Sequence, residues 1–115
     1  MGRLTTHILD TANGMPAANV QIRVYALDGA RELCASAVTN GDGRTDAPLL
    51  DGDALRSGYY ELEFDIGPYF AAAGYVAADP AFLDTVVIRF GARDDEHYHV
   101  PLLVSPWSYS TYRGS

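Results

Sequence analysis

The chain has 115 residues, about one domain's worth, and at that size it buries enough surface for a core without staples. Its 8 basic residues, all arginine, face 15 acidic ones for a net charge of −7, so it lacks the basic stripe that a nucleic-acid surface needs. No apolar run approaches the ~20 residues of a membrane span.

Cys34, the one cysteine, excludes an intrachain disulfide and is expected to be a buried, inert thiol. Met1-Gly2-Arg3 leads straight into a strand-like segment and not into a secretory apolar region. No Ser-Lys-Leu ending is present either, so a cytoplasmic location with no membrane partner is expected.

In chain order, residues 4–9 form the first strand candidate, closed by the Ala12-Asn13-Gly14 turn. Residues 20–26 alternate apolar and polar, the period of a strand with one face buried. Asp28-Gly29 then turns the chain into a strand over 31–39. Asn40-Gly41-Asp42-Gly43 is a tight turn whose glycines allow positive φ, and Arg44 after it is expected to project from a strand start. Residues 60–66 alternate again. Residues 68–74 read as a short helix, with Pro68 near the start, alanines inside and Gly74 past the end. Strands over 85–90, 97–104 and 109–113 complete an all-β sandwich. No repeat or linker interrupts the chain, so residues 1–115 are expected to be a single domain.

Three histidines fall on these strands. His97 and His99 are two apart, hence on one face, and His7 lies in the first strand. One reading is a solvated strand face. Another is a three-imidazole zinc centre with a position left for water, although no carboxylate is placed as its partner. The third is metal-free, with neutral imidazoles near pH 7 that take a proton from water and return it. Arg44 has a guanidinium suited to bidentate binding of planar oxygens; its bland reading is a solvated side chain. The chain closes on an aromatic-rich run into Tyr112-Arg113-Gly114-Ser115 with no polar tail.

"HILDTANGMPAANVQIRVY" and "YHVPLLVSPWSYSTYRGS" resemble the two signature stretches of the transthyretin fold, and "YRGS" resembles the mark of its enzymatic branch, the 5-hydroxyisourate hydrolases. "GDGRTDAPLL" and "GYYELEFDIGPYF" are similar to the family's middle, so the resemblance spans essentially the whole chain. It implies a transthyretin-like (prealbumin-like) eight-stranded β-sandwich with one short helix after the fifth strand, assembled as a homotetramer, a dimer of dimers with active sites in the channel between dimers. It also implies hydrolytic opening of 5-hydroxyisourate to 2-oxo-4-hydroxy-4-carboxy-5-ureidoimidazoline in urate degradation, with no cofactor and no metal.

By the same resemblance His7, Arg44, His99 and the Tyr112-Arg113-Gly114-Ser115 ending carry function. His7 and His99 are expected to position a water, one acting as base, and Arg44 to hold a ring oxygen. Tyr112, Arg113 and Gly114 are expected to orient the ring. Ser115, with its carboxylate, is expected to fix a histidine tautomer or bind substrate, and His97 to sit at the rim. Direct attack by water is favoured over Ser115 as a covalent nucleophile. The alternative is a non-catalytic transthyretin-type small-molecule carrier.

Overall fold

Alternation along the chain decides which side chains meet in the middle. The computed structural model describes residues 1–75 and 78–115. In β1 (Arg3–Asp10), Leu4, Thr6, Ile8 and Asp10 point inward while Arg3, Thr5 and His7 point outward. β3 (Gln21–Asp28) buries Ile22 and Val24, and β6 (Gly58–Asp65) buries Tyr60, Leu62 and Phe64. β7 (Thr85–Ala92) contributes Val86 and Ile88; β8 (Tyr98–Val104) contributes Tyr98, Val100, Leu102 and Val104. Each such aliphatic or aromatic side chain contributes about 1.5–3 kcal/mol when taken fully from water.

Two short strands, β2 (Met15–Pro16) and β5 (Leu50–Asp51), flank β1. With β4 (Ala30–Val38) and β9 (Tyr109–Thr111) they complete two sheets. One has the order β2-β1-β8-β9 with β5 also on β1; the other has the order β4-β3-β6-β7. The sandwich and, among the described residues, its one short α-helix agree with the resemblance. The helix, α1 (Ile66–Ala72), follows β6 in a count that includes the two-residue strands. It begins two residues ahead of Pro68, which therefore lies in the first turn, where its missing N–H costs nothing.

β1 and β8 are parallel neighbours, paired from Leu4 with Tyr98 to Asp10 with Val104. Parallel partners require a long crossover; here nearly the whole chain separates them. The buried polar groups on β1 are satisfied. Thr6 Oγ1 donates to the Val100 carbonyl at 2.6 Å. Asp10 accepts from the Asn13 amide and, at 2.7 Å, from the Tyr69 hydroxyl. Burial alone would raise the Asp10 carboxyl, but the donors from Asn13, Tyr69 and Ala12 outweigh it and hold it below its ordinary value.

Three expectations are corrected here. Cys34 is exposed, not buried: β4 is an edge strand that faces outward along most of its length, and the β3 register slips at Val24 and Tyr25 opposite it. His97 lies one residue before β8, outside the strand, and is exposed. Arg44 sits in an irregular loop between β4 and β5 and not at a strand start.

Candidate active site

The parallel pairing sets Thr5 opposite His99 and His7 opposite Pro101, all on the outward face of their sheet. Thr5 Oγ1 lies 2.9 Å from His99 Nδ1. His7 Nε2 lies 2.8 Å from the Asp42 carbonyl oxygen. A carbonyl only accepts, so Nε2 is the protonated nitrogen of His7.

That contact ties β1 to the loop that carries Arg44. Asn40 Oδ1 accepts from the backbone N–H groups of Asp42 and Arg44, at 2.9 and 3.2 Å, and the Asn40 N–H donates to the Arg44 carbonyl at 2.8 Å. Gly43 has φ +75° and its carbonyl accepts from the Ile8 N–H at 2.8 Å. A Cβ at Gly43 would collide with the Ile8 carbonyl oxygen, so both backbone conformation and space demand glycine. The loop is thereby seated on β1 beside His7.

The C-terminal segment closes the other side. The β8–β9 ladder ends at Thr111, then resumes as a single bridge in which the Gly114 N–H donates to the His99 carbonyl at 2.7 Å. A Cβ on Gly114 would stand 2.6 Å from His99 Cδ2, so the imidazole lies directly over this glycine. Arg113 Nη2 donates to Glu96 Oε1 and to the His97 carbonyl, both at 3.0 Å. Its guanidinium also sits 4.3 Å above the Tyr98 ring. Arg113 thus clamps the segment that presents Gly114.

An open cleft of about 460 Å³ results, lined by Arg3, Thr5, Arg44, His97, His99 and Ser115, with Tyr98 at its base. No carboxylate side chain lines it. Burial, then the Arg44 guanidinium, then His7 lower the His99 pKa below its ordinary 6.5, so this imidazole stays neutral at neutral pH. Among the described residues Arg44 makes no ion pair.

Of the residues singled out in the sequence, Arg44, His97, His99 and Ser115 line one cleft, with His7 close beside it. Tyr112 and Arg113 line a neighbouring groove with Ile88 and Phe90. The Nδ1 of His99 is held by Thr5 and not by Ser115. Among the described residues the Ser115 hydroxyl has no hydrogen-bonded base, and no group of three or more His, Cys, Asp or Glu side chains is arranged to hold a metal ion. Instead, His7 turns Nε2 to Asp42 and His97 lies outside β8. Sequence reasoning missed Thr5 and Arg3. The signal was present, because residues 3, 5 and 7 share one face of a period-2 strand.

Residues 4–114 match the family described as the HIUase/Transthyretin family. The 5-hydroxyisourate hydrolase of Ralstonia nicotianae is 57% identical over 117 residues, with all of both chains covered. The structure of Klebsiella pneumoniae 5-hydroxyisourate hydrolase superposes with a TM-score of 0.82 at 36% identity, covering 100% of each chain. That of an (S)-allantoin synthase gives 0.93 at 49% identity and covers 99% of this chain; this chain spans 44% of that longer one. Transthyretin from Sparus aurata gives 0.87 at 28% identity, covering 97% and 96% of the two chains.

Proposed function

We infer the chemistry from kinship: this chain belongs to the HIUase/Transthyretin family, and it is an enzyme that hydrolyses 5-hydroxyisourate. One observation favours catalysis over a carrier role. A neutral, half-buried imidazole and a guanidinium without a carboxylate partner share a cleft in an otherwise acidic chain. A carrier has no need of a proton acceptor placed beside a free cation.

The substrate is a planar, oxygen-rich ring, and its opening is hydrolysis of a cyclic amide. Arg44 takes a ring oxygen through its fork of N–H donors and stabilises the negative charge as water adds to the carbonyl carbon. His7 and His99 position that water, and one of them accepts its proton. The C–N bond then breaks and the same imidazolium returns the proton to the departing nitrogen. Ser115 and the Gly114 backbone orient the ring at the cleft's edge. Tyr112 and Arg113 act from the adjoining groove, Arg113 by holding the segment in place. Arg3 and His97 stand at the rim. The product is 2-oxo-4-hydroxy-4-carboxy-5-ureidoimidazoline, which places the enzyme in urate degradation.

We also propose a homotetramer, in which another subunit covers the open side of the cleft. Tyr59, Val87, Trp107, Tyr109 and Tyr112 are large apolar side chains left exposed on the isolated protomer, which is the kind of surface an assembly buries. Light scattering is expected to give about four times the 12.4 kDa of one chain.

The decisive assay follows the ultraviolet absorbance of freshly generated 5-hydroxyisourate. Catalytic amounts of this protein are expected to speed its decay, and Arg44→Ala to abolish most of the gain. A decay unchanged by the protein sinks the hydrolase reading.

A further inference from the structure

The hydrogen bond between Thr5 and His99 belongs to none of the roles above. It is not incidental to the fold. Thr5 is the residue of β1 paired directly with His99 of β8, and its Oγ1 stands 2.9 Å from Nδ1. It is the only hydrogen bond found for either side chain among the described residues. A neutral imidazole has one donor and one acceptor nitrogen, and the partner of one fixes the character of the other. Since Nδ1 is occupied against the sheet, Nε2 is the nitrogen left to meet substrate.

A threonine hydroxyl can serve Nδ1 as acceptor or as donor, so the surroundings decide. Arg44 and Arg3 both line the cleft with His7 and His97 around it, and these two guanidinium groups face a single carboxylate, the terminal one of Ser115. A ring in a positive field is most stable with its lone pair toward the cations and its N–H away from them. That orientation puts the hydrogen on Nδ1, donated to Thr5, and leaves Nε2 bare. His7 is arranged the other way, with the Nε2 hydrogen committed to the Asp42 carbonyl.

We propose that Thr5 is a positioning residue that accepts the Nδ1–H of His99, fixing the tautomer whose Nε2 lone pair faces the cleft, so that His99 and not His7 takes the proton from water. This inference rests on the hydrolase reading for the role of the proton, and on geometry alone for the tautomer. The protons balance: Nε2 gains one as water adds, the Nδ1–H bond to Thr5 persists unchanged in the imidazolium, and Nε2 gives the proton to the leaving nitrogen. The hydroxyl does not have to turn during the cycle. A carboxylate in place of Thr5 would raise the basicity of the ring; a neutral hydroxyl orients it without doing so.

The test reads the tautomer and the rate separately. Nitrogen-15 NMR of the full chain with labelled histidine, at a pH above 7.5, is expected to show His99 protonated on Nδ1 and unprotonated on Nε2. Thr5→Val, which keeps the shape and removes the oxygen, is expected to move hydrogen to Nε2 and to lower kcat by roughly 10-fold, since part of a general base's 10²- to 10⁴-fold contribution is lost. KM is expected to stay within about twofold, and Thr5→Ser to restore both signals. The proposal is overturned if wild-type His99 carries its hydrogen on Nε2, or if Thr5→Val retains wild-type kcat. An Nδ1–H His99 in a protein that leaves 5-hydroxyisourate untouched would overturn the hydrolase reading and, with it, the assignment of the base.

Discussion

On the outer face of the β4-β3-β6-β7 sheet the arginines stand against carboxylates. Arg23 holds Asp65 with two nitrogens at 2.7 Å each and Glu63 with a third at 2.9 Å. Arg31 spans Glu61 and Glu63 at 3.0 and 2.6 Å, and Arg89 approaches Glu61 at 3.7 Å. On the β1-β8 face, Arg44 shares its cleft with imidazoles and with no acidic side chain. The first arrangement satisfies its cations internally and leaves nothing to bind. The second leaves a cation whose best partner is an incoming oxygen, at the cost of discouraging protonation of His99 beside it. Pairing of charge therefore separates the structural sheet from the reactive one more sharply than the number of charges does.

The largest effect that sharpens this contrast is expected at His99. His99→Ala should lower kcat by 10²- to 10⁴-fold, the usual contribution of a general base, with the thermal midpoint little changed; rapid-mixing absorbance and a melting curve together check it. Arg44→Ala comes next, at about 10²- to 10³-fold in kcat/KM, the loss typical of removing one stabiliser of developing negative charge. Because Arg44 has no ion pair to lose among the described residues, the stability of Arg44→Ala should match wild type, and a drop of several degrees in Tm would contradict that account.

A smaller change is expected from Gly114→Ala. The added methyl meets the His99 ring at 2.6 Å, so either the imidazole or the terminal segment must shift. A displacement of that order should reduce kcat by roughly 10- to 100-fold, while the sandwich stays folded by circular dichroism.

The pH profile tests the same electrostatics. Burial, Arg44 and His7 all disfavour the imidazolium of His99, so its folded pKa lies below the 6.5 of an unfolded histidine. The rate is expected to hold as pH falls through 6.5 and to decline only at the lower folded value. In the window between the two values the unfolded chain binds the extra proton. The contribution of His99 to stability is thus complete above 6.5 and diminishes as pH falls through that window. In residual activity, Arg44→Ala should move the acid limb upward toward 6.5; an unmoved limb would show that Arg44 does not act on His99.

The smallest effect belongs to the paired sheet. Arg23→Gln leaves Glu63 and Asp65 partly exposed to water, and is expected to cost about 1 kcal/mol in urea unfolding with kcat and KM unchanged.

Alternation by itself discloses β3, β6 and the inward faces of the other strands, because period 2 reports directly which side chains share a face. The resemblance supplied His7, Arg44, His99 and the terminal motif. Neither disclosed neighbours. A pattern within β1 says that Arg3, Thr5 and His7 point one way, but not that β8 lies alongside to give Thr5 an imidazole. Likewise the glycines of the 40–43 turn predicted a turn, while the seating of Gly43 on the Ile8 backbone depends on where β1 runs. Arg113 reads as a ligand-binding cation in isolation; only the fold brings Glu96, Tyr98 and the His97 carbonyl to occupy it. Cys34 was misplaced because apolar character predicts burial only where another layer covers the strand.

The pairing of β1 with β8 has a consequence for how the enzyme comes into being. Thr5 and His99 stand 94 positions apart along the polypeptide, so a ribosome must release the whole span between them before the two can meet. Contacts of such high sequence separation make folding slow. A nascent or prematurely terminated fragment lacking the β8 segment holds no nascent form of the dyad and has no graded activity to offer; competence arrives in one late step, when the penultimate strand docks.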